Sequence, residues 1–130
     1  MGATVELSAL PAFSALVKEH IGGDTWRLTE RLSYSHRSGR AIVIPEGFVC
    51  DGDSVPRIPF IYALYKGRAI QAAWVHDYLY REQRGKDFAD LMFLDAMEDQ
   101  GLPARIRYPI YWGPALFGDR SYSKYKSKGN

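Results

Sequence analysis

The chain has 130 residues, enough for one domain with its own apolar core and without disulfides or a structural metal. Its 17 basic and 15 acidic residues leave a net charge of +2, which is too balanced to indicate a specific nucleic-acid partner. The single cysteine, Cys50, excludes an internal disulfide framework. No signal-peptide pattern and no apolar run of about 18 residues is present, so we expect no transmembrane segment and a reducing compartment or an assembled particle.

The N-terminal part of the chain predicts one helix followed by short strands. Apolar residues recur at helical spacing over residues 11–21, and Gly22 ends that pattern. From Thr25 the apolar period changes to two, which indicates strands. The predicted strands cover residues 26–34, 41–44 and 48–50, and turns at 38–39 and 45–47 separate them.

The C-terminal part predicts four helices, each a stretch of apolar residues at helical spacing. They cover residues 61–65, 68–83, 86–100 and 106–117. We therefore predict an α+β fold, with a small antiparallel β-meander packed on a helical hairpin and one or two further helices. We expect a single domain over residues 1–130, of which about 119–130 form a basic, tyrosine-containing C-terminal tail that is frayed and solvated.

Two charged or titratable residues, His76 and Asp77, stand in a predicted helix that is apolar on nearly every side. Burial of charge is costly, so their presence there indicates a specific role. His76 and Tyr80 share one face of the helix, whereas Asp77 lies about 100° round it. With the hairpin turn centred on residues 84–85, Asp90 is offset from His76 by roughly 4.5 Å along the axis. The spacing therefore allows a cluster of His76, Tyr80 and Asp90 without requiring it.

Ordinary structural roles are open for the same residues. Asp77 could pair with Arg81 one turn later on the helix. Asp87 and Asp90 have the spacing of a capping box, which would place both at a helix N-terminus. His76 could be a core histidine whose two nitrogens are both satisfied. Of these residues, His76 has the weakest structural explanation.

The segment DGDSVP lies between the predicted strands and helices. Its Asp51, Asp53 and Ser54 offer oxygen ligands, which suit calcium or magnesium better than zinc. The alternative is that these side chains make turns and cap the next segment. A thiol hydrolase built from Cys50 and His76 is also conceivable, but Asp51 beside the cysteine would raise the pKa of the thiol.

Three segments in a fixed order carry a resemblance to a known family. They are IPEGFVCDGDSVPR, AAWVHDYLY and an Ala-Asp-x-x-Phe element at Ala89, Asp90 and Phe93. In this combination the chain resembles a numbered domain-of-unknown-function family (thirteen fifty-three), whose members are small proteins of tailed phages and prophages. The resemblance implies a phage origin, a role among virion or lysis functions, and a location in the host cytoplasm or the assembled virion.

A second resemblance is local to the predicted helical hairpin. HDYLY followed by ADLMFLDAM is similar to the catalytic helices of secreted-type phospholipases of the A-two class. This resemblance implies that His76 is the base that activates water, that Asp90 orients His76 and that Tyr80 supports the network. It also implies that Asp77 binds calcium, which would stabilise the oxyanion formed when water attacks an ester carbonyl.

Together these observations favour a phage-encoded, metal-assisted hydrolase that acts on an ester or amide of the host envelope. The expected catalytic residues are His76, Asp90 and Tyr80, and calcium, with no organic cofactor, is the expected metal. The expected metal ligands are Asp77, Asp51 and Asp53. The alternative is a non-catalytic structural or assembly protein of the virion neck or tail. The expected partners are accordingly a lipid or cell-wall substrate, or other virion proteins.

Overall fold

The computed structural model describes residues 4–23, 25–51, 70–120 and 122–123. The chain divides into two compact units, Met1–Asp53 and Ser54–Asn130. The described elements of the first unit are strands and those of the second are helices, so we name them the strand unit and the helical unit. The predicted α+β class is therefore confirmed. The single-domain interpretation stays a prediction.

Six strands form two antiparallel sheets within the described part of the strand unit. The strands are β1 (Thr4–Leu7), β2 (Leu16–Gly22), β3 (Thr25–Leu28), β4 (Leu32–Ser35), β5 (Ala41–Ile44) and β6 (Val49–Asp51). The larger sheet has the order β1-β2-β3-β6, and β4 pairs with β5 in a separate hairpin. The last strand therefore pairs with β3, placing Cys50 opposite Trp26, rather than continuing from β5.

The helix predicted over residues 11–21 is wrong, because most of this segment is strand β2. β2 lies between β1 and β3, so its backbone groups bond on both sides in the ladder. Phe13 stacks on Tyr34 with ring centroids 4.5 Å apart, and Leu16 is fully buried. Pairing and packing with distant residues thus override the local helical spacing of the apolar side chains.

The two turns predicted in this unit are confirmed. In the turn of the β4–β5 hairpin the Gly39 N–H donates to the His36 carbonyl, and Gly39 has a φ of 92°. Gly47 precedes β6 and has a φ of 91°. Both backbones lie in the left-handed region, which glycine adopts without steric cost.

Three helices form the described part of the helical unit. They are α1 (Ile70–Arg81), α2 (Lys86–Asp99) and α3 (Ala104–Phe117). These confirm the three long predicted helices to within a few residues at each end, while the predicted short helix over 61–65 lies outside the described residues. α1 packs on α2 and α2 packs on α3. None of the helices described is long and apolar enough to cross a bilayer.

The α1–α2 hairpin is closed at both ends. At the turn, Gln83 and Gly85 take positive φ values of 53° and 108°, which reverse the chain within a few residues. At the open end, Gln100 Oε1 accepts the Ala72 N–H at 2.8 Å, and Gln100 Nε2 donates to Gln71 Oε1 at 2.7 Å. Gln100 is the C-cap residue of α2, so its side chain satisfies one of the amides that the first turn of α1 leaves unbonded.

The core of the helical unit fixes how α1 and α2 face each other. Its most deeply buried apolar side chains are Val75, Leu79, Phe93, Met97 and Ile110. Burying each of these side chains stabilises the fold by about 1.5–3 kcal/mol. The remaining large apolar residues of α1 and α2 pack around them, and the polar residues described next lie inside this apolar surround.

Candidate functional site

His76, Tyr80 and Asp90 come together between α1 and α2, as the hairpin spacing allows. His76 Nε2 lies 2.8 Å from Asp90 Oδ1, and the Tyr80 hydroxyl donates to the same oxygen at 2.7 Å. His76 and Tyr80 are one helical turn apart on α1, with ring centroids separated by 4.2 Å. Phe93 of α2 covers another side of the imidazole at a centroid distance of 4.7 Å.

The second oxygen of Asp90 is held by Lys86, one turn earlier on α2. Lys86 Nζ donates to Asp90 Oδ2 at 2.8 Å, and also to the backbone carbonyls of Pro114 at 2.8 Å and Ala115 at 3.3 Å. Those carbonyls belong to the last turns of α3, where a lysine ammonium is electrostatically favourable. Lys86 therefore links the carboxylate of Asp90 to α3, whereas His76 and Tyr80 link it to α1.

The surroundings of Asp90 keep it ionised. Its side chain is almost completely buried, and burial alone would raise the pKa of the carboxyl. Hydrogen bonds from His76, Lys86 and Tyr80 outweigh that effect and hold the pKa below its usual value. Burial, followed by the hydrogen bond to the Asp90 carboxylate, raises the pKa of Tyr80 far above its usual value, so this phenol stays protonated.

The bond to Asp90 also decides the chemistry of His76. An ionised carboxylate accepts but cannot donate, so Nε2 of a neutral imidazole carries the proton and Nδ1 is a free base. No residue that the structure describes forms a hydrogen bond with Nδ1, and the side chain is 12% exposed. An imidazole oriented by a buried carboxylate, with its other nitrogen uncommitted, is the arrangement that general-base catalysis uses.

A shell of contacts from the C-terminal segment supports Tyr80. The rings of Tyr80 and Tyr122 meet edge to face at a centroid distance of 5.0 Å. The Tyr122 hydroxyl accepts the Gly85 N–H at 2.9 Å, and Gln83 Nε2 donates to the Tyr122 carbonyl at 2.9 Å. The expectation of a frayed tail is therefore wrong at Tyr122, which is bonded to the α1–α2 turn.

Gly118, which ends α3, approaches the cluster closely. A Cβ at this position would lie 2.8 Å from the Tyr80 hydroxyl and would also overlap the Pro114 carbonyl. The backbone of Gly118 has φ of −87°, which any residue can adopt. Glycine is therefore required here by space and not by backbone conformation.

Asp77 is also buried, but its ion pair is with a residue outside this cluster. Its Oδ2 is 3.1 Å from Arg81 Nε, which is the i, i+4 pair that one of the alternatives predicts. The guanidinium already supplies a positive charge to this carboxylate, which opposes binding of a cation beside it. No group of three or more His, Cys, Asp or Glu side chains that could hold a metal occurs within the described ranges.

The other two expected metal ligands lie beyond what the structure describes. Asp51 closes β6 and its backbone pairs with Thr25, but its side chain is outside the described residues, as is the whole of Asp53. The described residues therefore do not by themselves fit a calcium ion, and the roles of Asp77, Asp51 and Asp53 stay predictions. Cys50 belongs to β6 of the strand unit, and a role for it with His76 likewise stays a prediction.

The capping-box alternative for Asp87 and Asp90 is wrong. The N-cap of α2 is Gly85, whose position carries no side-chain cap, and Asp87 lies inside the first turn. The carboxylate of Asp90 is instead taken up by the three donors of the cluster.

Two residues of the site are absent from the sequence-based prediction. Lys86 has one recognisable signal, its i, i+4 spacing to Asp90, which is the spacing of a helical ion pair. Tyr122 has none, because its partners Gln83 and Gly85 lie 39 and 37 residues away along the chain.

Comparison with known proteins gives one match. The model of a family described as "Protein of unknown function (DUF1353)" matches residues 26–113, which is well over half of the chain. The matched range contains His76, Tyr80, Lys86 and Asp90. No curated protein and no solved structure matches the chain.

Proposed function

The chain belongs to the DUF1353 family, whose description assigns no activity, and we propose from its own geometry that it is a hydrolase with His76 as general base. The single observation that carries the proposal is the 2.8 Å bond between His76 Nε2 and Asp90 Oδ1, which leaves Nδ1 as the basic nitrogen. The substrate class that we propose is an ester or amide of a bacterial envelope. This finer statement, with a phage origin, rests on the resemblances in the sequence.

The reaction uses Nδ1 of His76 first as a base and then as an acid, while Nε2 stays bonded to Asp90. Nδ1 accepts a proton from water while the water oxygen bonds to the carbonyl carbon of the substrate. The imidazolium that forms is stabilised by the Asp90 carboxylate, which remains ionised throughout. Nδ1 then returns the proton to the leaving oxygen or nitrogen as its bond to carbon breaks.

Tyr80 and Lys86 are positioning residues in this scheme. Each donates one hydrogen bond to Asp90, so the carboxylate is fixed before the substrate arrives. A carboxylate that is already oriented in a water-poor surround stabilises the imidazolium without reorganising during the reaction.

A non-catalytic component of a virion neck or tail is the second candidate function. The observation that favours it is that the hydrogen bonds of Asp90 and Lys86 together join all three helices, because a cluster of this kind also holds a fold in one arrangement. In that case His76 contributes to stability alone, and its replacement by a residue that keeps the bond to Asp90 has no further effect.

His76→Gln separates the two candidates, because a glutamine amide can donate to Asp90 but cannot act as a base. We expect the rate of ester hydrolysis to fall by about 10²–10⁴-fold while the melting temperature changes little. Rates would be measured with p-nitrophenyl esters and with a fluorogenic phosphatidylglycerol. The matched control is His20→Gln, which changes a histidine in the strand unit that bonds to the Gly23 carbonyl. Full activity in His76→Gln, or no hydrolysis by the unchanged protein, would contradict the proposal.

Calcium assistance is a separate proposal that depends on Asp51 and Asp53, and no step above is routed through the metal. The same assay in EDTA and in millimolar calcium tests it. The proposal would be supported if EDTA abolishes hydrolysis by the unchanged protein and added calcium restores it. In Asp53→Asn, calcium should then fail to restore hydrolysis. An equal rate in both buffers would mean that His76 acts without a metal.

A further inference from the structure

One face of α3 is apolar and open to solvent. Tyr108, Trp112 and Leu116 follow one another at intervals of four residues and are 39%, 53% and 67% exposed. We call these three residues the aromatic face. Large apolar side chains grouped in this way are unusual on the surface of a soluble monomer and mark a binding surface.

The aromatic face is not the side by which α3 joins its own unit. The buried residues of the helix are Ile110, Gly113 and Pro114, which lie between the exposed positions in sequence and so on another side of the helix. Tyr108 and Trp112 are also in contact with each other, with ring centroids 6.4 Å apart. Tyr108, Trp112 and Leu116 therefore form a stripe on the side of α3 away from its buried residues.

The part of the sequence that contains the aromatic face is rich in basic residues. Residues 104–130 contain six basic residues and one acidic residue, whereas residues 1–103 contain 11 basic and 14 acidic residues. Arg105 precedes Tyr108 by three residues, Arg120 follows Leu116 by four, and both are exposed. An occupant of this face must therefore combine an apolar part with negative charge at its rim.

We propose that the aromatic face of α3 binds the surface of an anionic lipid bilayer. Tryptophan and tyrosine are the side chains that favour the headgroup level of a membrane, since each has an apolar body and a polar edge. Leu116 enters the acyl region beneath the headgroups, while Arg105 and Arg120 at the two ends meet lipid phosphates.

The helix that carries this surface also bonds to the His76 cluster. The last turn of α3 contains Leu116, and the carbonyls of Pro114 and Ala115 in the same turn accept hydrogen bonds from Lys86. A bilayer seated on α3 would thus rest on the helix that anchors Asp90. Binding itself needs no catalysis, so it stands or fails independently of the proposed hydrolysis.

Vesicle co-sedimentation with the full chain tests the proposal. We expect binding to vesicles in which about a third of the lipid is phosphatidylglycerol and much weaker binding to phosphatidylcholine alone, with release at high salt. Leu116→Asp should weaken binding by about tenfold or more, because it removes an inserted side chain and adds a repelled charge. Leu91→Asp is the matched control, since Leu91 is 52% exposed but belongs to α2. His76→Gln should bind vesicles as well as the unchanged protein.

Several results would overturn the proposal. One is equal binding to neutral and anionic vesicles, or no binding to either. Another is equal loss in Leu116→Asp and Leu91→Asp, which would remove α3 as the site. A third is a dimer of the unchanged protein, detected by light scattering, that Leu116→Asp dissociates, because a second copy would then be the occupant. Trp112→Ser, at another exposed position, checks that loss of binding does not come from unfolding near residue 116.

Discussion

Asp90 is a buried carboxylate, and its hydrogen-bond donors offset the cost of burying its charge. Burial of an isolated carboxylate costs several kcal/mol, and a pair that loses one member leaves the other charge uncompensated. Here Lys86 supplies the opposite charge at 2.8 Å, and Tyr80 and His76 supply further donors at 2.7 and 2.8 Å. The ammonium of Lys86 therefore balances the carboxylate without requiring a charge on the imidazole.

Asp90→Asn should destabilise the protein by up to about 3–5 kcal/mol at neutral pH, because it leaves the largely buried ammonium of Lys86 with only the exposed Asp119 carboxylate, 3.7 Å away, as a counter-charge. The free energy of unfolding would be measured by urea denaturation. Asp87→Asn, at an exposed position of the same helix, is the control and should change stability by about 0.5 kcal/mol or less.

The same variant should alter the dependence of stability on pH. The native pKa of Asp90 lies below the usual value of an aspartate, so its contribution is fully present above the unfolded-state pKa and is lost as pH falls through the lower native value. The difference in stability between the unchanged protein and Asp90→Asn should therefore shrink as the pH is lowered below about 4. A difference that is constant from neutral pH to pH 3 would contradict the low native pKa.

The spacing of the sequence predicts much of this cluster but not its charge balance. The offset between His76 and Asp90 follows from helix geometry and the position of the hairpin turn, both of which are local. The α3 carbonyls that Lys86 bonds are 28 and 29 residues away along the chain. These contacts of Lys86 therefore depend on how α3 packs. The pKa values of Asp90 and Tyr80 follow from burial, which spacing alone does not reveal.

At the scale of single elements, the sequence patterns predict the helices better than the first strands. α1, α2 and α3 each carry a long apolar pattern between glycine or proline stops, which local physics is sufficient to interpret. Strand β2 has apolar residues whose spacing also fits a helix, and its conformation is decided by β1 and β3 on either side. Likewise, β6 pairs with β3 across the β4–β5 hairpin, a choice that no local signal records.

Replacing glycine by alanine should have opposite effects on stability at Gly113, inside α3, and at Gly118, which ends it. Gly118→Ala should destabilise the protein by about 1–3 kcal/mol, since the new methyl group meets the Tyr80 hydroxyl and the Pro114 carbonyl. Gly113→Ala should instead stabilise it by up to about 1 kcal/mol, because that helical position has nothing within 4 Å of a Cβ. Thermal melting of both variants measures the contrast. Equal shifts of the same sign would mean that Gly118 does not touch the cluster.

At the scale of the whole molecule, charge is divided unevenly along a chain that is nearly neutral in total. The basic excess is confined to residues 104–130, and the rest of the chain carries an acidic excess. The net charge of +2 therefore conceals an uneven distribution of basic and acidic residues along the chain. The sequence contains this information, but the exposed aromatic face beside it becomes visible only once α3 is packed.

The end of the chain contributes to the fold through Tyr122. Tyr122→Ala should lower the free energy of unfolding by about 2 kcal/mol, because it leaves the Gly85 amide without its acceptor and uncovers the Tyr80 ring. Tyr108→Ala, at an exposed position of α3, is the control and should have little effect on stability. Equal stability of the two variants would show that the segment after Gly118 is not docked in solution.

Gln100 joins two parts of the hairpin that are 28 residues apart, at the end away from its turn. Such a contact forms only after α1 and α2 have aligned along their length, so it belongs to the late events of folding. Its removal should accelerate unfolding and leave the refolding rate nearly unchanged. This glutamine would then govern how long the hairpin persists once formed, whereas the apolar residues between the helices govern how quickly it assembles.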